Sequence, residues 1–306
     1  MNSTPASVGQ ITLALATVYL VWGSTYLAIR FGVEITPPYL FGTARFIAAG
    51  LILLAYARAK GLKLPESRAD WKVIAITAVL LLVCANGLVT WSEQWVASNQ
   101  AALMVATSAL WMAGFGLLGG RADRLSWLSW AGLITGFLGV AVLMGEGLLQ
   151  KSAPLGAYIA LVISPIAWAA GSIYGRRHPQ QCAPLMTAAM QMLIAGVLMG
   201  MIGLLSGEQE RWRWTAQSWG AWAYLTILGS CVAYGAYYWL VHNVTPALLG
   251  TYAYVNPAIA VILGAWLGGE HLSGLQLVGT GVILGGVVAV TLGQRMPVKP
   301  RAPKAG

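Results

Sequence analysis

Residues Thr215–Gly269 read TAQSWGAWAYLTILGSCVAYGAYYWLVHNVTPALLGTYAYVNPAIAVILGAWLGG, without a single Asp, Glu, Lys or Arg, and with His242 as the one imidazole. A helix of ~20 apolar residues crosses a hydrocarbon core, so this run is too long for one crossing. The polar, helix-breaking stretch His242-Asn243-Val244-Thr245-Pro246 divides it in two. Working outward, the remaining charges fall in short clusters that separate further runs of similar length. The pattern predicts membrane helices at 11–31, 38–58, 71–91, 97–118, 126–144, 155–175, 183–205, 218–241, 246–268 and 275–292.

Composition agrees. Of 306 residues, 58% are hydrophobic and 9% charged, against about 25% charged in a soluble domain. Lipid solvates such a surface; water does not. The net charge of +9 would suggest nucleic acid in a soluble protein. Here it places basic residues in loops on the cytoplasmic side, and no nucleic-acid partner is expected. Cys84, Cys182 and Cys231 lie in or beside apolar runs with no metal-ligand spacing, and read as small buried residues. No Lys or Arg precedes Arg30, so the first apolar run is expected to be a retained helix rather than a cleaved signal.

Orientation follows from the basic residues. With an inside N-terminus, the inner loops and tail hold thirteen Lys and Arg, among them Arg58, Lys60, Lys63, Arg176 and Arg177. The outer loops hold only Arg30, Lys151, Arg211 and Arg213. That bias puts both termini inside.

The two halves resemble one another. Arg124-Leu125-Ser126-Trp127-Leu128 is similar to His271-Leu272-Ser273-Gly274-Leu275, Gly132 and Gly139 match Gly279 and Gly286 at the same offset, and Asp123 matches Glu270. An odd number of helices per copy inserts the second copy upside down. The expected fold is an all-α membrane protein of ten transmembrane helices in two inverted five-helix repeats. The expected organisation is an N-terminal tail (1–10), a first repeat (11–147), an inverted second repeat (148–292) and a disordered basic tail (293–306).

Depth sorts the aromatic and polar residues. Most of the 14 Trp fall near predicted helix ends, where an interfacial belt keeps the indole N–H wet. Trp22, Trp111 and Trp168 lie nearer the midplane and either line a cavity or simply pack. An unpaired amide in hydrocarbon costs ~4 kcal/mol or more, so Asn86 and Asn256 should point inward. Ser24, Thr25, Thr107, Ser108, Ser164 and Ser230 either do the same or bond a carbonyl one turn back. Tyr234, Tyr238, Tyr252 and Tyr254 offer hydroxyls. Pro165 and Pro257 each free a carbonyl inside a helix and are candidate hinges or static kinks. Arg45, the one charge well inside a span, either snorkels outward or serves as an outer gate or a contact for a substrate carboxylate. The Gly-x-x-x-Gly pairs 116/120, 132/136, 196/200, 264/268 and 281/285 read mainly as close helix packing.

The nine acidic residues all sit at predicted helix ends or in loops. An antiporter that exchanges protons for cations needs a carboxylate inside the membrane. None is visible, which favours neutral or zwitterionic amphipathic solutes moved without a fixed carboxylate couple. No phosphate-binding loop, zinc spacing or catalytic triad occurs, so no enzyme activity, cofactor or metal is expected.

Trp22-Gly23-Ser24-Thr25-Tyr26, Ala44-Arg45-Phe46, Gly119-Gly120-Arg121-Ala122-Asp123 and Gly268-Gly269-Glu270 together resemble the motifs of the EamA family of drug/metabolite transporters. The resemblance covers roughly residues 11 to 292. It implies a ten-helix exporter working by alternating access, with a central pocket between helices one, three, four, six, eight and nine. Trp22, Asn86, Thr107, Trp111, Trp168, Tyr234, Tyr238, Tyr252 and Asn256 fall on those helices and are the candidate substrate-binding residues. Arg45, Pro165 and Pro257 are the candidate gate and hinges. Trp111-Met112 stands where the family often has a proline, so the two halves need not bend alike. The interior Trp111 and Trp168-Ala169-Ala170 also look like the YddG-type aromatic amino-acid exporters of that family. The expected role is export of amino acids, aromatic or otherwise apolar, by a monomer in the inner (plasma) membrane. Drug or cation efflux is the alternative carrier reading. A membrane-embedded lipid enzyme or a non-transporting scaffold or receptor are rivals of another class.

Overall fold

The computed structural model describes residues 7–116, 126–149, 153–244, 252–271 and 273–293. Among these the regular structure is entirely helical. The rods are α1 (Val8–Val33), α2 (Pro38–Ala59), α3 (Arg68–Ser92), α4 (Ser98–Ala106, resuming as Ser108–Gly116), α5 (Trp127–Leu149), α6 (Leu155–Arg177) and α7 (Pro184–Leu205). They continue with α8 (Ala216–Tyr224, Leu225–Val232 and Ala233–Asn243 in sequence), α9 (Tyr252–Leu267) and α10 (Gly274–Gly293). The motif Gly119–Asp123, Arg124, Lys151, the stretch Thr245–Thr251 and the basic tail lie outside the described residues.

Five rods, α1, α2, α3, α6 and α7, are long and apolar enough to cross a membrane, and α5, α9 and α10 contain shorter apolar helices. Their outer faces carry bare hydrophobic side chains: Leu13, Leu205, Ile262 and Trp266 are each more than 60% exposed. Water would penalise such a surface and lipid does not.

Local chemistry sets the rod ends. Ser7 and Gln10 form a reciprocal capping box on α1, Ser67 caps α3, and Pro38 and Pro184 start α2 and α7 at positions whose N–H has no partner to lose. Three rods are not uniform. The expected single helix 97–118 is interrupted at Thr107, whose N–H and hydroxyl both turn to the Met104 carbonyl. A hydroxyl bonding its own backbone competes with the regular ladder there. In α3 the segment Ala78–Asn86 is π-helical, and in α8 so is Leu225–Val232.

Packing is by small residues. α2 lies along α7 and α5 along α10. A methyl placed on Gly50 or Gly196 would meet Leu193 or Ile47 at 2.8 Å, and one on Gly132 or Gly286 would meet the opposing backbone at 2.7 and 2.6 Å. Close backbone approach is how helices attract each other where no hydrophobic effect operates. α1 packs on α8 and α9, while α6 packs on α3 and α4. These four contacts leave a space between α1 and α6, surrounded by both rods with π segments.

Candidate functional site

That space is a cavity of about 110 Å³, room for several waters or part of a small solute. α1 lines it with Trp22, Thr25, Tyr26 and Ile29, positions spaced as one face of a helix. α3 gives Leu82, Ala85, Asn86 and Val89, and α8 gives Gly229, Ser230 and Tyr234. Ser164 and Trp168 come from α6, Tyr252 and Asn256 from α9, Val105 and Ser108 from α4. α2 and α7 add Arg45, Phe46 and Met192, which extends the wall beyond the six helices expected.

Trp22 is the centre of an aromatic cage. Its ring lies 5.0 Å from Tyr237, 5.7 Å from Tyr252, 6.2 Å from Trp168 and 6.3 Å from Tyr234, edge-on to Trp168 and Tyr252. Such tilted and T-shaped contacts are the favoured aromatic geometries. The Trp22 indole N–H donates to the Gly229 carbonyl at 3.3 Å. Gly229 lies in the π segment of α8, where the ladder is looser than in an α-helix. Trp168 donates to the Tyr252 hydroxyl.

Polar groups punctuate this cage. Asn256 is 5% exposed and its Oδ1 has no protein partner. Asn86 closes the π segment of α3. Thr25 bonds the Trp22 carbonyl, as a local hydroxyl can. Ser24 does likewise and also meets the Tyr224 hydroxyl. Ser230 instead accepts from Arg45 Nε at 3.0 Å.

Arg45 is the one charged residue in the cavity wall and is 6% exposed. It turns inward rather than toward the surface. Its guanidinium lies 5.0 Å from the Phe46 ring centre. Among the described residues the single side-chain ion pair is Lys63–Glu66, so Arg45 has no carboxylate within 4.0 Å.

The structure therefore brings together Trp22, Asn86, Trp168, Tyr234, Tyr252, Asn256 and Arg45. Thr107 and Trp111 lie elsewhere. They border a second, almost wholly apolar hollow of about 240 Å³ with Met104, Phe137, Val140, Leu161 and Val162, and Trp111 packs on Phe137 at 4.8 Å. Tyr238 belongs to α8, but its side chain lies outside those described, as does that of Tyr254. Pro165 and Pro257 are buried within continuous stretches of α6 and α9. Tyr26, Phe46 and Met192 were not among the expected pocket residues. Tyr26 had a signal, since it stands four residues after Trp22 on the same face; Phe46 had only its place in the motif Ala44-Arg45-Phe46, and Met192 had none.

Glu93, Glu208 and Glu270 lie at helix ends as expected, and all three are more enclosed than that position alone implies. Glu93 does sit at the end of α3, yet it is fully buried and neither carboxylate oxygen has a partner. The Arg30 guanidinium donates to the Glu93 backbone carbonyl. Burial, with Glu270 nearby, pushes the Glu93 carboxyl well above the ordinary carboxylate range against the pull of Arg30 and Arg45. Glu208 and Glu270 are spent on helix starts. Glu208 accepts from the Tyr39 and Leu40 N–H groups of α2, and Glu270 from Ser98 and Asn99 of α4. A helix end expected from sequence to be wet can thus be dry, because where the chain folds back over it is a tertiary fact.

Comparison with known proteins gives two successive matches to the model of the EamA-like transporter family, over residues 9–145 and 155–292. A protein of Escherichia coli K12 named as the uncharacterized inner membrane transporter YedA is 42% identical over 289 residues, covering 94% of this chain and 92% of that protein. An uncharacterized transporter of Archaeoglobus fulgidus is 24% identical, covering 92% of this chain and 97% of its own. A WAT1-related chloroplastic protein of Arabidopsis thaliana is 25% identical over 88% of this chain and 66% of its own length. A solved crystal structure, 22% identical, shares the fold with a TM-score of 0.67 and covers 95% of this chain and all of the other.

Proposed function

The chain belongs to the EamA-like transporter family, a class of membrane transporter, and from that premise we propose that it exports small amphipathic metabolites, foremost amino acids with aromatic or other apolar side chains. The observation that carries the substrate reading is the composition of the central cavity. An aromatic cage around Trp22 suits an apolar body, the unpartnered Oδ1 of Asn256 suits an ammonium or amide N–H, and the guanidinium of Arg45, bonded to Ser230 but in no ion pair among the described residues, suits a carboxylate. Burying a charge pairs best with an opposite one, so the cavity would hold a zwitterion and repel a permanent cation. That weighs against drug or cation efflux.

Alternating access would come from two inverted halves, about 11–147 and 148–292, rocking around this site. Several observations support ten spans in inverted repeats. The family model matches once in each half. π segments occur in both α3 and α8. The pairs α2–α7 and α5–α10 map onto themselves when five is added to each number, while α1 with α8 and α9 maps onto α6 with α3 and α4. Pro165 and Pro257 would act as hinges. The inner-membrane placement follows the printed name of the E. coli relative, with both termini inside by the basic-loop bias. The monomer is the working unit of this reading.

Purified protein in liposomes, given a panel of amino acids and one permanent cation, tests it. Saturable flux of phenylalanine, tryptophan or leucine is expected. Flux of the cation with none of the amino acids would overturn the substrate class, and no solute-dependent flux of any kind would favour a scaffold or receptor.

A further inference from the structure

We propose that Gln191, buried behind the cavity wall, fixes the Tyr234 hydroxyl as a hydrogen-bond acceptor toward the solute, so that Tyr234 and Asn256 form a subsite for an N–H donor such as an ammonium. This deepens the reading above and rests on its central cavity, but not on which solute crosses.

A backbone carbonyl sets the direction of the bonds. Thr77 is the last α-helical residue of α3 before its π segment, and its hydroxyl lies 2.7 Å from the Val73 carbonyl oxygen and 3.1 Å from that of Ile74. A carbonyl only accepts, and two oxygens that close repel unless a hydrogen lies between them, so Thr77 spends its one proton there. The Gln191 amide on α7 lies 2.7 Å from the same hydroxyl. Thr77 has only lone pairs left for it, so the donor Nε2 faces Thr77 and Oε1 is the other end of the amide. Oε1 meets the Tyr234 hydroxyl at 3.3 Å. An amide oxygen cannot donate, so Tyr234 gives its proton to Gln191. One carbonyl on α3 thereby orders a chain that crosses α7 and ends on α8.

Burial preserves that order. Thr77 and Gln191 are each 2% exposed, and Tyr234 belongs to an apolar cluster with Ile74, Leu82, Met186 and Met192. An apolar side chain at 191 would fill the same place with no amide to satisfy, so packing alone does not account for the glutamine.

With its proton committed, the Tyr234 oxygen offers a lone pair to the cavity that Tyr234 lines. The buried Oδ1 of Asn256, without a partner among the described residues, is a second acceptor in the same wall. Arg45 offers only donors. Acceptors fit an ammonium or amide N–H and donors fit a carboxylate, so the wall distinguishes the two ends of a zwitterion. Gln191 and Thr77 lie outside the cavity wall and act through Tyr234, as positioning residues.

Infrared difference spectra of the full chain in membranes, each protein minus its own Tyr234→Phe form, isolate the Tyr234 C–O stretch. That band lies higher for a phenol that donates its proton than for one that only accepts. The donor position is expected in wild type and in Thr77→Ser. It should spread toward the acceptor position in Thr77→Val, where the amide is free to turn over, and leave the donor position in Gln191→Met. An acceptor position in wild type would overturn the relay. Adding 3-phenylpropionamide, which carries an N–H, should shift the wild-type band, and methyl 3-phenylpropionate, which carries none, should not. No shift with the amide would overturn the subsite. In liposomes, Gln191→Met should raise the KM of phenylalanine about tenfold and leave that of 3-phenylpropionate, which lacks the nitrogen, within about twofold. An equal rise for both would make Gln191 a packing residue and overturn its positioning role. If wild type moves no amino acid at all, the proposed substrate class fails, while the comparison of amide with ester still decides the subsite.

Discussion

Glu270 spans 172 residues of sequence to reach Ser98: one carboxylate oxygen accepts the Ser98 N–H at 2.7 Å, and the other the Ser98 hydroxyl at 2.9 Å and the Asn99 N–H at 3.0 Å. Gly269 makes this possible. Its φ of +62° turns the chain at the end of α9, and the Glu270 N–H bonds back to the Gly264 carbonyl. Gly207, at φ +76°, precedes Glu208 in the same way before that residue caps α2. A carboxylate at a helix start satisfies orphan N–H groups and opposes the dipole. Glu270→Gln removes the charge and keeps one acceptor, and should cost ~1–3 kcal/mol, read as a lower unfolding temperature in detergent.

The glycines of α10 divide into two kinds. Gly286→Ala would press a methyl within 2.6 Å of the Gly136 nitrogen, whereas Gly281→Ala and Gly285→Ala meet nothing within 4 Å. The first should cost ~1–3 kcal/mol by overpacking, and the other two should stay within about ±0.5 kcal/mol. Parallel thermal melts of the three variants check this.

Asn256 separates binding from folding. Its unpartnered Oδ1 is a liability to stability, so Asn256→Leu should melt no lower than wild type. Amino-acid flux should nevertheless fall at least about tenfold, the loss of one well-placed hydrogen bond of ~1.4 kcal/mol or more. Retained flux would remove Asn256 from the site.

Trp22→Phe keeps the cage and deletes the donor to Gly229. A stability loss of ~0.5–1.5 kcal/mol is expected, with a larger loss of flux for Trp22→Ala than for Trp22→Phe. Trp111→Ala, which opens the side hollow instead, should raise the apparent KM for solute far less than Trp168→Ala does.

Helical membrane architecture was legible because lipid imposes it: a run such as Thr215–Gly269 has no other stable home. Trp22, Trp168, Asn86 and Asn256 were legible for a related reason, since mid-span polar and indole groups need a partner or a cavity. Thr107 and Trp111 share that depth, and only packing turns them into a different hollow. The break at Thr107 and the two π segments left no mark in hydropathy, which registers burial and not hydrogen-bond spacing. The position of Glu93 at a helix end was legible and its burial was not, because depth along a helix is local, while exclusion of water at its end depends on the neighbours that close over it.

A π turn holds one residue more than the α turn it replaces. Deleting one residue from Ala78–Asn86 or Leu225–Val232 would therefore turn that stretch into an ordinary α turn and leave the rod beyond it in register, whereas the same deletion elsewhere in α3 or α8 would swivel everything beyond by about 100°. In α8 the loss would fall locally, on the Gly229 carbonyl that Trp22 holds. Each π segment is thus a place where the rod can give up a residue without re-aiming its far end.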